Sequence, residues 1–541
     1  MDSLTKKLFI NISGALLSTV IFLIILELGS RLYVQVKHRL NEYEALIEEQ
    51  GFTPQNKETG EKRVFIVGES AARGVPYTMD SSLSGFLHQL VNTTGSTNLK
   101  IINTGMPGRH SFYQREEAKT LIKYKADVVL IYAGNNDTRD FSNVMRDVPF
   151  ALIDFKLTWN SSFYWIFKRK ILSLKRWINK IAQKQIFPIN FNQDDVWHWT
   201  DTYLQKKRAY LEDAELGLKR KERALKDFEY NISDLVQMLK NHGIQVLICG
   251  LPIVYEWPPT ISDWSRKGYV FEQKVNFKSK DEEMRWGNIF EKIPQTIERG
   301  NFKGTLDLLE KAEKIDTTYP LLQFYFGKAY AGRGNYSEAK KRYTLAKDLQ
   351  IQSLGGDSFK SKILRDIAIR YRIPFIDLQK PLEEMSPNEM IGTNLFLDHC
   401  HPNLLGHKII TAKILEAFCK HQLTLCEDSR SKWKYWLQKL IGSEINETNL
   451  AREYLLIAFY KFKGTPWEQE PRYEEAIQYL EKAREITPNN KDIYPMLAAS
   501  YWKTGKKSNA KASLDILWKL NQKEYEHTFK DFPYLLEAKI A

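Results

Sequence analysis

Arg63-Val64-Phe65-Ile66-Val67-Gly68-Glu69-Ser70-Ala71-Ala72-Arg73 is the stretch that decides how this chain is read. Four apolar residues, mostly β-branched, run into Gly-Glu-Ser and then small residues. That order predicts a buried strand, a tight turn and a helix starting just after it. In an open α/β sheet, ligands are held at the carboxyl ends of the strands. A serine at such a turn presents its hydroxyl to a cleft and its N–H at a helix start. The plainer alternative is that Ser70 only caps the helix. A catalytic serine also needs a base, an acid to orient that base, and donors for an oxyanion.

The strand pattern recurs downstream. Runs at Lys100–Asn103, Val128–Tyr132, Ile244–Cys249 and Pro374–Leu378 join Val64–Val67, with helical periodicity between them. Alternating strands and helices predict a parallel sheet with helices on both faces. Three later turns carry candidate chemistry. In Asn103-Thr104-Gly105-Met106-Pro107-Gly108, Gly105 can present a bare N–H, although the residues are equally an ordinary turn signal. In Ala133-Gly134-Asn135-Asn136-Asp137 an Asn side chain can donate to a developing oxyanion, and an Asx turn explains the same residues. Asp398-His399-Cys400-His401-Pro402 sets a carboxylate three residues before an imidazole, close enough to hold Nδ1–H while Nε2 takes a proton. These four side chains are also metal-ligand types. Zinc is the rival reading, with no second His/Cys group nearby to complete it.

Taken together, Gly68-Glu69-Ser70, Gly105, Gly134-Asn135-Asn136-Asp137 and Asp398-His399-Cys400-His401-Pro402 resemble, in chain order, the motif blocks of the SGNH (GDSL-like) hydrolases. The resemblance runs over roughly residues 63–426 and leaves out two insertions. It implies an α/β fold, a three-layer flavodoxin-like parallel sheet. It further implies Ser70 as nucleophile, His401 as base and Asp398 as the acid orienting it. The oxyanion hole implied is the N–H of Ser70, Gly105 and Asn136, with no cofactor and no metal. Glu69 stands where the family has Asp, outside the catalytic groups, so the exchange is expected to matter little. Gly68-x-Ser70-x-Ala72 also lacks the second glycine of an α/β-hydrolase elbow.

Two interruptions flank this pattern. Trp159–Lys184 mixes Phe163, Trp165, Phe167 and Trp177 with Lys168, Arg169, Lys170, Lys175, Arg176 and Lys180. It reads either as a helix lying on a membrane or as an insertion packing its rings on the core. Glu212–Lys226 follows as a charged helix. The second interruption is a repeat: Arg299-Gly300-Asn301-Phe302 returns 34 residues later as Arg333-Gly334-Asn335-Tyr336. The same period separates Ala476 from Ala510 and Leu480 from Leu514. With Gly327, Tyr330, Ala339, Tyr343 and Ala346, these positions fit tetratricopeptide helix pairs, whose small residues let helices approach closely. A protein partner and a purely structural role both suit them.

At the other end, Leu8–Leu28 is apolar over about 21 residues, enough to span a bilayer. No small-residue cleavage pattern follows, which predicts an uncleaved signal-anchor, and lysines and arginines on both flanks leave its orientation open. The expected organisation is an anchor at 1–32, a stalk at 33–60 and a first hydrolase part at 61–282 with a helical insertion at 155–226. A repeat insertion at 283–350, a second hydrolase part at 351–426 and C-terminal repeats at 445–525 complete it. The 541 residues carry a net charge of +13. No zinc-finger spacing or RNA-binding strand accompanies that excess, which excludes nucleic acid as the expected partner and favours anionic lipid. Cys249, Cys400, Cys419 and Cys426 are read as forming no disulfide framework.

The activity expected is hydrolysis of an acyl ester of a glycan, O-acetyl included, or of a lipid, with the bulk of the chain extracytoplasmic. The alternatives are O-acyl transfer to a cell-envelope glycan through the same acyl-enzyme, and a repeat scaffold whose hydrolase site is vestigial.

Overall fold

The computed structural model describes residues 42–138 except Thr97, 214–259, 275, 277–424, 426, 432–442, 447–463 and 472–537. The expected span at Leu8–Leu28 and the basic aromatic segment Trp159–Lys184 lie outside them. Among the described residues no helix is long and apolar enough to cross a membrane. The chain divides into two compact units, and all but the first five described residues belong to the one comprising Ile47–Asp140 and Leu211–Ala541.

Five strands, β1 (Lys62–Gly68), β2 (Leu99–Asn103), β3 (Val128–Tyr132), β4 (Gln245–Cys249) and β5 (Phe375–Ile376), form one parallel sheet in the order β2-β1-β3-β4-β5. Strands covered on both faces need unbroken apolar runs rather than alternation. Val64–Val67 and Val128–Tyr132 provide them and are buried throughout. Each Val or Ile so buried contributes roughly 1.5–3 kcal/mol. β5 is shorter than its expected Pro374–Leu378. Asp377 Oδ1 accepts the N–H of Gln379 at 3.1 Å and turns the chain into the helix Gln379–Glu384.

Helices Ser111–Lys123, Ala214–Asn241 and Ser358–Tyr371 pack together, and Leu83–Thr93 packs with Leu404–Lys420. Right-handed crossovers put these two groups on opposite faces of the sheet. The strand order is that of flavodoxin-type sheets and reverses between β1 and β3, and sheets of this kind hold ligands at the carboxyl edge of that reversal. Gly68 pairs with Tyr132, and Ile66 with Asn103. The turns that follow β1, β2 and β3 therefore emerge side by side.

Among the described residues, five helices stand between β4 and the helix Ser358–Tyr371: Lys280–Phe290, Lys292–Glu298, Phe302–Glu313, Pro320–Gly332 and Tyr336–Leu349. The recurring Arg-Gly-Asn is a repeated turn. Gly300 and Gly334 take φ of +69° and +77°, which glycine adopts without strain. Asn301 and Asn335 then cap the next helix through Oδ1. Past the sheet domain come Glu447–Lys463, Tyr473–Ile486, Ile493–Lys503, Lys507–Leu520 and Gln522–Asp531. One cysteine expectation is corrected. Cys419 and Cys426 form a disulfide, because the chain folds back just after the helix Leu404–Lys420, with Gln422 at φ +54°.

Candidate active site

β1 delivers its turn to the carboxyl edge of the sheet, beside the end of β3. Glu69, not Ser70, holds the N-cap position of the short helix Ser70–Arg73, so Ser70 is not the cap. As the first helical residue, Ser70 has an N–H without a partner inside the helix. Its hydroxyl lies 2.7 Å from His401 Nε2. The Glu69 side chain reaches across to the end of β3, accepting Gly134 N–H at 2.7 Å and, more weakly, Asn135 N–H at 3.4 Å. Burial, and then the nearby Asp137, push this carboxyl up to about 8. The longer acid therefore ties the first motif block to the third, a role the sequence did not indicate.

The loop before Leu404–Lys420 supplies the other side. Asp398 Oδ1 accepts the N–H groups of Cys400 at 2.9 Å and His401 at 2.8 Å, so the acid fixes its own loop. Its Oδ2 stands 2.6 Å from His401 Nδ1. An acceptor at Nδ1 assigns the ring proton there and leaves Nε2 to accept from Ser70. Burial alone would raise Asp398, but the His401 ring, the Cys400 N–H and the nearby His399 overcome it and hold the acid below the carboxylate range. Burial opposes the charged imidazole, yet the Asp398 carboxylate outweighs it and lifts His401 well above its ordinary value. Ser70 is 8% exposed and the His401 side chain 18%, so neither is fully closed off from solvent.

Ligand atoms of Asp398, Cys400 and His401 lie within 4.8 Å of one another, a metal-like grouping. Both ring nitrogens of His401 are nevertheless engaged, by Asp398 and Ser70. A cation would have to displace one of these bonds.

The two further oxyanion donors differ. A Cβ at Gly105 would meet Arg73 N at 2.6 Å and Glu69 O at 3.0 Å, so only glycine lets this turn pack on the serine helix. Its N–H donates to Asn103 Oδ1 at 2.9 Å and is committed in this arrangement. Gly108, in the same turn, is exposed. Asn136 is buried and gives one Nδ2 hydrogen to Arg109 O at 2.8 Å; its second hydrogen remains for a ligand.

A buried polar layer that sequence reasoning missed supports this edge. Lys347, from the inserted helix Tyr336–Leu349, donates to Trp257 O at 2.6 Å and lies 3.4 Å from His399 Nδ1. Burial, offset in part by Cys400, pulls Lys347 down to about 7. Lys221 donates to the carbonyls of Lys347 and Asp348, and with Lys360 flanks Asp357 at 3.5 Å each. Gly355 N–H reaches Asn135 O at 3.1 Å. Only the lysines' spacing on otherwise apolar helix faces hinted at it.

The sequence matches no family model and no curated protein. Among solved structures it is similar to the acetyl xylan esterase AlAXEase, at 13% identity over 66% of this chain and 98% of that one, with a TM-score of 0.29. A GDSL-like lipase from Bacteroides thetaiotaomicron VPI-5482 gives 12%, 70%, 98% and 0.30 in the same terms. The lipase/acylhydrolase from Enterococcus faecalis gives 12%, 68%, 99% and 0.28. Likenesses of this size leave the activity to be argued from the chain's own residues.

Proposed function

We propose that the chain is a serine ester hydrolase of the SGNH (GDSL-like) type, anchored through Leu8–Leu28 and carrying tetratricopeptide-like repeats that receive a protein partner. The observation that carries the reading is the relay from Asp398 Oδ2 through His401 to Ser70 Oγ, with steps of 2.6 and 2.7 Å. Ser70 Oγ bonds the ester carbonyl carbon as its proton passes to His401 Nε2. The carbonyl oxygen becomes the oxyanion, held by Ser70 N–H, the second Asn136 hydrogen and a turn glycine. That glycine is Gly105, once Asn103 Oδ1 releases its N–H. Each donor is worth about 3 kcal/mol. Collapse expels the alcohol, which takes the proton from Nε2. Water, deprotonated by His401, then attacks the acyl-enzyme and frees the acid.

The substrate class is an acyl ester of a glycan or lipid. The Cys419–Cys426 disulfide supports an oxidising, extracytoplasmic setting. The test is a panel of acyl esters offered to the full chain in detergent, wild type against Ser70→Ala, with fluorophosphonate labelling alongside. Ser70→Ala is expected to lose both turnover and label. Full turnover in that variant sinks the reading.

A further inference from the structure

The C-terminal helix block has a hydrophobic core of its own, running from Ala458 to Leu535. Its first helix, Glu447–Lys463, is nevertheless bonded to the segments that follow both Ser70 and His401. Asn449, fully buried, accepts Thr78 N–H through Oδ1 at 3.0 Å. Its Nδ2 donates to Thr78 Oγ1 at 2.9 Å and Ser81 Oγ at 2.7 Å. One helical turn on, Glu453 Oε2 accepts Tyr77 Oη at 2.8 Å and Leu404 N–H at 3.4 Å. Tyr77 lies seven residues past the serine, and Leu404 three past the histidine. The Tyr77 ring also stands edge-on to His407, at 5.7 Å, within the helix that Leu404 begins.

One carboxylate oxygen thus bridges the segment after Ser70 and the first residue of the helix after His401, beside the ring contact of Tyr77 with His407. Burial raises the Glu453 carboxyl, and the bonds from Tyr77 and Leu404 only partly offset this. A buried acid is a costly way to make a contact that an apolar side chain would make more favourably. Its advantage over such a side chain is a defined distance.

We propose that Glu453 is a positioning residue that sets the separation of Ser70 and His401, so that the C-terminal block is a working part of the active site. The proposal rests on the reading of Ser70 as nucleophile and His401 as base. A displacement of about 1 Å between reacting groups is enough to cost on the order of 10²-fold. The test compares full-length wild type, Glu453→Ala, Glu453→Gln, Leu480→Ala and Ser70→Ala. It measures the fluorophosphonate labelling rate, kcat and KM on a short soluble ester, and thermal unfolding.

Glu453→Ala is expected to slow labelling and lower kcat by about 10- to 100-fold with KM unchanged. Glu453→Gln keeps one acceptor oxygen and recovers part of that rate. Leu480→Ala, in the core of the same block, lowers the unfolding temperature but leaves labelling within about 2-fold. The proposal is overturned if folded Glu453→Ala labels at the wild-type rate, or if Leu480→Ala slows labelling as much as Glu453→Ala does. If Ser70→Ala still labels, it is the nucleophile assignment that has failed.

Discussion

The two helical blocks share a 34-residue period and attach to the sheet domain in opposite ways. Leu309, Phe324, Ala339 and Tyr343 of the inserted block belong to the same continuous core as Val64 and Leu130 of the sheet. Leu480, Leu497 and Leu514 of the C-terminal block form a separate core, with the helix Glu447–Lys463 as the wall between. The insertion gives the site a buried ammonium, Lys347, and the C-terminal block gives it a carboxylate, Glu453. A shared core makes one cooperative unit. A separate core with a polar joint allows a block to open on its own while still setting loop geometry.

Both blocks lean on one relay, and its loss has the largest effect expected. Asp398→Asn removes the acceptor at His401 Nδ1 and should lower kcat by about 10³-fold or more. In the wild type, His401 must lose its proton before Nε2 can act as base. Its raised value places the acid limb of kcat/KM above the ordinary 6.5, with activity rising as pH passes through it. A pH–rate profile checks this, and Asp398→Asn should move the residual limb downward. A limb at or below 6.5 in the wild type contradicts the pairing.

Next in size are paired core truncations. Leu309→Ala and Leu480→Ala should each cost about 2–5 kcal/mol. Calorimetry of the first should show the main transition lowered; the second should lower a separate, smaller transition. If both shift one common transition, the contrast between the blocks is wrong.

A smaller effect isolates Lys347. With the folded value near 7 and the unfolded value near 10.5, the unfolded chain binds more protons between them. This group therefore makes stability rise with pH across that window. Denaturation midpoints taken at about pH 7 and about pH 9 should show a slope that Lys347→Met flattens. An unchanged slope removes Lys347 from the account. The smallest effect belongs to metal. Incubation with EDTA should leave ester turnover unchanged, and loss of turnover restored by zinc would revive the cluster of Asp398, Cys400 and His401.

What could be read from the sequence was local. The runs at Val64–Val67 and Val128–Tyr132, and the turns holding Ser70, Asn136 and His401, are written in neighbouring residues, and the chain brings these side chains to one sheet edge. The end of β5 was misjudged because Asp377 starts a turn through bonds to backbone that composition does not display. The disulfide was missed because cysteines seven residues apart meet only once a helix end has reversed the chain. Glu69 looked inert beside its serine, since its partners lie 65 residues on. Tyr77 and Glu453 are 376 residues apart, and no periodicity links them.

The inserted block also bears on whether such insertions can be traded between proteins as cassettes. Lys221 belongs to the sheet domain, yet it spends its hydrogens on the carbonyls of Lys347 and Asp348. A graft that cut out residues 283–350 and rejoined the ends would leave that ammonium with Asp357, which it shares with Lys360, and the face of Phe359. Each bond to a charged group so lost is worth about 1.5–3 kcal/mol, a sizeable part of what holds a domain folded. Removing this insertion therefore also unsettles a side chain that the sheet domain itself contributes.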